Sequence, residues 1–188
     1  MLGAGRVGEL SEIAPAGNSP EFTPQQVAGA VSKLISAAIG DCAVVFSKSQ
    51  AHKHYSLSDI EWMILPAVVT GQVYVAEAQH KESGARVPVA VVLWANVSAE
   101  TDQRLTANTG QKLRLRPDEW QSGDIPWIID VAGDPTAAMG ALCQLAATVF
   151  KDKPTKIVIA DTQGQARVSD LQDAIAHLPE ARTDARAG

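Results

Sequence analysis

Val87-Pro88-Val89-Ala90-Val91-Val92-Leu93-Trp94 is an apolar run with no polar interruption, and it sits between turn-forming segments. A run of this length without alternation reads as a strand buried on both faces, which places it in the middle of a sheet covered by helices on each side. Just upstream, Gln72–Gln79 reads as a second strand, and Lys81-Glu82-Ser83-Gly84 between the two reads as the turn of a hairpin. Downstream, Pro126-Trp127-Ile128-Ile129-Asp130-Val131 forms another central strand, with its proline at the start.

Moving outward, Thr23-Pro24 opens a helical pattern with Val27, Val31, Leu34, Ile35 and Ala38 on one face, and Gly40 ends or breaks it. Cys42–Phe46 fits a strand or a buried helix equally well, and Ser47–Ser56 is a polar loop. Ser58-x-x-Glu61 reads as the capping box of a second helix that Gly71 closes. A short helix is expected over 98–108 after Ser98, a longer one over 136–150 after Gly133-Asp134-Pro135, and a strand at Lys156–Ala160. Gln163-Gly164 then turns the chain, and Ser169 caps a last helix that ends near His177. The order implies an α/β protein with a mixed sheet flanked by helices. One domain over 24–178 is expected, between a flexible segment at 1–23 and a flexible tail at 179–188.

The chain has 188 residues, of which 46% are apolar, and a net charge of −5. That balance suits a folded domain and argues against nucleic acid as the main partner. No uninterrupted run of eighteen apolar residues occurs, so no transmembrane segment is expected. Cys42 and Cys143 lack metal-ligand spacing and read as buried free thiols in a reducing, cytoplasmic setting. No metal site is expected. There is no Gly-x-Ser-x-Gly elbow, phosphate-binding Walker loop, His-Glu-x-x-His or Cys-x-x-Cys.

Two residues carry the chemistry worth weighing. His52 lies in a loop between helices, where an imidazole near pKa 6.5 either exchanges protons with a substrate or simply faces solvent. Asp130 interrupts an apolar strand, so its carboxylate is either paired or capping the next turn. Asn96, after the central strand, offers an amide to a developing oxyanion or serves as a turn residue. From Gln103 to Pro117 the chain has Arg104, Lys112, Arg114 and Arg116 and no acidic residue, which reads as an edge guarded by charge or as a dock for an acidic partner.

Three segments in order resemble one family, the RTX toxin-activating lysine acyltransferases: Ser49-Gln50-Ala51-His52-Lys53, Trp94-Ala95-Asn96-Val97-Ser98, and Trp120-Gln121-Ser122-Gly123-Asp124 leading to Trp127-Ile128-Ile129-Asp130. The likeness runs from about Ile39 to Val131. It implies a fold related to the GNAT acyltransferases, a homodimer, and helix at Cys42–Phe46. It also implies fatty acyl transfer from acyl-acyl carrier protein, as donor substrate with no bound cofactor, to internal lysines of an RTX-type protoxin. On this resemblance His52 and Asp130 are catalytic, and Ser49, Trp94, Asn96 and Trp127 position the substrate or an oxyanion. Arg104, Lys112, Arg114 and Arg116 would meet the acidic carrier protein. Competing readings are an acyl-coenzyme A-dependent N-acyltransferase acting on a small amine, and a non-catalytic accessory that binds an RTX-like protein.

Overall fold

The computed structural model describes residues 23–112, 114–160 and 163–184, with side chains as far as His177. The segment 1–22 and the last residues, 185–188, whose flexibility the sequence suggested, lie outside the described residues.

Five strands form one sheet in the order β1-β2-β3-β4-β5. β1 (Val73–Gln79) and β2 (Arg86–Val97) make the expected antiparallel hairpin, and β3 (Ile125–Gly133) pairs antiparallel with β2. β4 (Lys156–Ala160) runs parallel to β3, and β5 (Ala166–Asp170) returns antiparallel to β4. Helices cover both faces, as the apolar run at Val87–Trp94 demanded, and Ala90–Ala95 is buried without a break. The expected α/β class, a mixed sheet flanked by helices, is the architecture found.

α1 (Pro24–Lys48) starts where the sequence placed it. Thr23 and Gln26 cap each other reciprocally, and Pro24 occupies the first helical position. Gly40 does not end it: a glycine costs a helix only about 1 kcal/mol relative to alanine, and the turns on either side supply apolar contacts. Cys42, Val45 and Phe46, at i, i+3 and i+4, form the stripe that docks on the sheet. That stripe decides helix over strand for Cys42–Phe46. The N-terminal half instead leaves Val27, Val31 and Leu34 exposed. By length and composition α1 is also long and apolar enough to cross a bilayer. Length and composition alone do not show a membrane span, and Cys42, Val45 and Phe46 of α1 are buried against the sheet.

The next helical segment begins at Ser56 rather than Ser58, as α2 (Leu57–Asp59). Asp59 Oδ2 accepts from the Ser56 backbone at 2.7 Å and from its hydroxyl at 3.0 Å, so Asp59 takes the part expected of Glu61. A π-helical turn (Ile60–Ile64) and α3 (Leu65–Val69) continue it to Gly71. α4 (Ala99–Ala107) follows its Ser98 cap.

α5 (Pro135–Ala147) is capped by Asp134, which accepts from Thr136 and Ala137. Gly133 precedes it at φ +108°, and any Cβ there would strike the Val89 carbonyl. Ser169 does not cap a helix; it pairs with Ile157 inside β5. α6 (Leu171–Asp184) starts after Asp170, whose carboxylate accepts from Gln172 and Thr155. Its backbone runs to Asp184, into the stretch read as tail.

Two cores result, one on each face of the sheet. Cys42, Val45, Phe46, Met63, Val91, Leu93 and Trp127 pack beneath α1 and α3. Val92, Trp94, Ile128, Leu142, Leu145 and Phe150 pack beneath α5 and α6. Cys143 is exposed on α5, contrary to the expectation of two buried thiols, because it falls on the outer side of a helix whose inner side is Ala141, Leu142 and Leu145.

Burial, reinforced by Asp41, pushes the Cys42 thiol up to about 12. At pH 8 its thiolate fraction is then about one in ten thousand. A maleimide at that pH labels Cys143 alone in the folded protein and adds a second label only in denaturant, as read by intact mass. Two labels without denaturant would show that α1 is not docked.

Candidate functional site

β2 and β3 pair in regular steps until one residue intervenes. Leu93 lies opposite Asp130 and Trp94 opposite Ile128, so Ile129 is an extra residue, a β-bulge. Side chains alternate between faces along a regular strand, and Trp127 faces the α1 side. Without the extra residue in the count, Asp130 would share the α5 side with Ile128. The bulge resets the alternation and puts both Ile129 and Asp130 on the α1 side. Ile129 fills the core there, and Asp130 meets the loop that follows α1.

That loop is wound tightly after the Ser49 cap: His52 and Lys53 donate backbone N–H groups to the Ser49 carbonyl, and Tyr55 donates to that of His52. It delivers a buried imidazole. His52 Nε2 lies 2.9 Å from Asp130 Oδ1, and Nδ1 lies 2.7 Å from Ser49 Oγ. An ionised carboxylate only accepts, so Nε2 carries a proton, and in the neutral imidazole Nδ1 accepts from the Ser49 hydroxyl. Phe46 and Tyr55 hold the ring between them, with centroids 4.7 and 4.9 Å away. Asp130 Oδ1 also accepts from the Val131 backbone at 2.8 Å, and Oδ2 from the Tyr55 hydroxyl at 3.4 Å. Burial, then the Asp130 charge, hold the Tyr55 phenol well above its ordinary pKa, so it remains a donor.

Two cavities meet at this pair. One of about 450 Å³ is lined by Phe46, His52, Lys53, Leu57 and Ile60. The other, about 540 Å³, opens between β3 and β4, which share only the register pair Trp127–Lys156 before they part. Ile128, Leu142, Ile157 and Ile159 give it apolar walls, with Asp130 and Lys112 among its polar groups. Tyr55 lines both cavities.

The other residues singled out in the sequence fall elsewhere. Trp94 packs on Phe150 at 5.8 Å, on the face opposite His52. Asn96 lies inside β2, not after it, and lines a separate cavity of about 620 Å³ with Trp94 and Phe150. Trp127 is fully buried and donates from Nε1 to Asp102 at 2.8 Å. Of the basic stretch, Arg104 and Arg116 both pair with the buried Glu119, at 2.8 and 3.3 Å. Arg114 lies 5.0 Å from the Trp62 ring and Lys112 5.1 Å, so those two stack on an aromatic face. Trp62 is oriented by its Nε1 bond to Asp59 Oδ1 at 2.9 Å. The bonds from Ser56 and then Trp62 hold the Asp59 carboxyl below the usual carboxylate range. Among the described residues no group of three His, Cys, Asp or Glu side chains could hold a metal.

The sequence did not single out Tyr55 or Phe46, and placed Lys112 at a docking edge, not at the cleft. Tyr55 follows His52 by three residues, the one local cue available; the contacts of all three depend on the folded chain.

An α/β protein with a buried histidine–carboxylate pair where an apolar cleft opens between two sheet strands is thus the class defined by fold and site. The sequence model of the RTX toxin acyltransferase family matches residues 32–172. The chain belongs to that family. It is 32% identical over 92 residues to the leukotoxin-activating lysine-acyltransferase LtxC of Aggregatibacter actinomycetemcomitans, covering 49% of each chain. It is 30% identical over the same length to LktC of a Pasteurella haemolytica-like species, and 32% to the protein-lysine myristoyltransferase RtxC of Kingella kingae, covering 49% of this chain and 50% of each relative. The chain spans about half the length of the curated relatives it matches.

Glu119 and Arg114 distinguish structural from exposed charge here. Glu119→Ala removes the acceptor that ties down Arg104 and Arg116 and costs about 1–3 kcal/mol. Arg114→Ala costs about 0.5–1 kcal/mol, the worth of an exposed cation over an aromatic ring. Urea unfolding of the two variants checks the order.

Proposed function

We propose that this chain transfers a fatty acyl group from the thioester of an acyl carrier protein to the ε-amine of internal lysines in an RTX-type protoxin. The observation that carries the reading is the 2.9 Å His52–Asp130 contact beside an apolar cleft, within the span that matches the family. The names of the relatives, leukotoxin-activating lysine-acyltransferases and a protein-lysine myristoyltransferase, support acyl transfer to lysine.

The chemistry follows from the groups present. A lysine amine is protonated near neutral pH and must lose a proton before it attacks a thioester carbonyl. Both nitrogens of His52 are engaged by side chains, whereas Asp130 also lines the cleft. Asp130 therefore takes the proton from the incoming amine, and His52, fixed by Ser49 at Nδ1, donates from Nε2 to the same carboxyl and holds it in place at the cleft. The C–S bond of the thioester breaks as the new C–N bond forms. Ile128, Leu142, Ile157 and Ile159 offer the acyl chain a dry wall. Lys112 and Arg114 give an acidic carrier protein a basic landing beside it. A cytoplasmic site of action belongs to this reading, since acyl carrier thioesters are found there. So does a homodimer, for which the exposed Val27, Val31 and Leu34 offer apolar surface.

Incubating the chain with acyl-acyl carrier protein and an RTX-type acceptor tests it by intact mass. The wild type adds one acyl increment per modified lysine, and His52→Ala and Asp130→Asn each slow the addition by about 10²–10⁴-fold. Equal turnover with acyl-coenzyme A would reassign the donor, and no transfer from either would sink the proposal.

A further inference from the structure

Lys112 is the lysine that lines the β3–β4 cleft alongside Asp130. Its ammonium lies 3.3 Å from the centroid of the Tyr55 ring, and the hydroxyl of that ring is bonded to Asp130. Trp62, 5.1 Å away, offers a second aromatic face. The amine is thereby held at the wall of the space assigned above to the acyl thioester, close to the group assigned to accept an amine's proton. Neighbouring lysines are placed differently. Lys53 opens to the cavity on the other side of Tyr55, and Lys156 is tied to Asp102 at 2.6 Å.

We propose that Lys112 is itself an acyl acceptor, so that the chain acylates the wall of its own cleft; this rests on the acyl-transfer reading given above. The step is the one written for an external lysine. The Lys112 ammonium gives one proton to Asp130, and its nitrogen attacks the thioester carbonyl carbon. The C–S bond breaks as the amide C–N bond forms. The second nitrogen proton goes to the departing thiolate, and the first passes from Asp130 to solvent. Desolvation lowers the pKa of Lys112 below that of an ordinary lysine, against the opposing pull of Asp130 and Asp59, and so enlarges the neutral, nucleophilic fraction. The product would carry no charge at Lys112 and would lay an acyl chain along Ile128, Leu142 and Ile157, where a donor chain would otherwise bind.

The test uses the full chain with myristoyl-acyl carrier protein and no acceptor, beside a second tube that also contains an RTX-type acceptor. The expected result is a mass increase of one myristoyl group on the chain itself, stable to hydroxylamine as an amide is, and mapped to Lys112 by peptide fragmentation. It disappears in Lys112→Arg, which keeps the cation over Tyr55, and its rate falls about a hundredfold in Asp130→Asn. Label on Lys53, or a hydroxylamine-labile label on Ser49 or His52 in place of Lys112, overturns the proposal. So does equal labelling of Lys112 in Asp130→Asn, which would mean unassisted chemical acylation. If the acceptor is acylated while the chain stays unmodified, self-acylation is wrong and the acyl-transfer reading stands. If neither protein is modified, the acyl-transfer reading falls and takes this one with it.

Discussion

The carboxylate of Asp130 reaches His52 because β3 carries one residue more than β2 across the Leu93–Trp94 step. A strand allows only two directions for a side chain, and the one chosen here is set by counting residues, not by the chemistry of the aspartate. Once Ile129 is accommodated, Asp130 is turned toward α1, and much of the site follows from that. His52 must be buried to meet it, Ser49 must satisfy the other ring nitrogen, and Phe46 and Tyr55 must close around the imidazole. Taking a carboxylate and an imidazole out of water is costly unless both are hydrogen-bonded, and here each polar atom of the pair has a partner.

A second chain of contacts ties the helix start at Ser56 to the rim of the cleft. Asp59 closes the cap and orients Trp62, and Trp62 receives Lys112 and Arg114 on its face. Helix capping and the placement of two cations thus depend on the same carboxylate. Glu119 does a similar job for Arg104 and Arg116. The basic stretch is therefore divided: two of its members brace the loop after α4, and two lie on an aromatic surface near the site.

Much of the fold was legible because the sheet is simple. An eight-residue apolar run bounded by turn signals reads as a central strand between two helical layers, and the β1–β2 turn and the Asp134 cap are local signals. The errors share a cause. Gly40, Ser58 and Ser169 were read as punctuation from their own propensities, whereas contacts made elsewhere decided each case: the docking of Cys42, Val45 and Phe46, the pairing of Asp59 with Ser56, and the pairing of β5 with β4. At the site, His52 and Asp130 stood out as residues whose chemistry did not suit a bland role. Their meeting, across 78 positions in the chain, has no local signature, and neither does the arrival of Tyr55 and Lys112. Trp94, Asn96 and Trp127 stand in conspicuous motifs, yet the structure gives Trp127 to packing and sets Trp94 and Asn96 by another cavity.

The parting of β3 and β4 bears on motion as well as on space. With a single register pair between them, the β4–β5–α6 portion is joined to the rest of the sheet by few ladder bonds, supplemented by the apolar contacts beneath α5 and the Lys156–Asp102 pair. Sheets usually resist opening because many ladder bonds must break together. This one has a seam where little of that resistance was ever built. Backbone amides along the seam should exchange with solvent deuterium sooner than those of the β2–β3 ladder, and whatever fills the gap would act as the missing rung, stiffening the two halves into one.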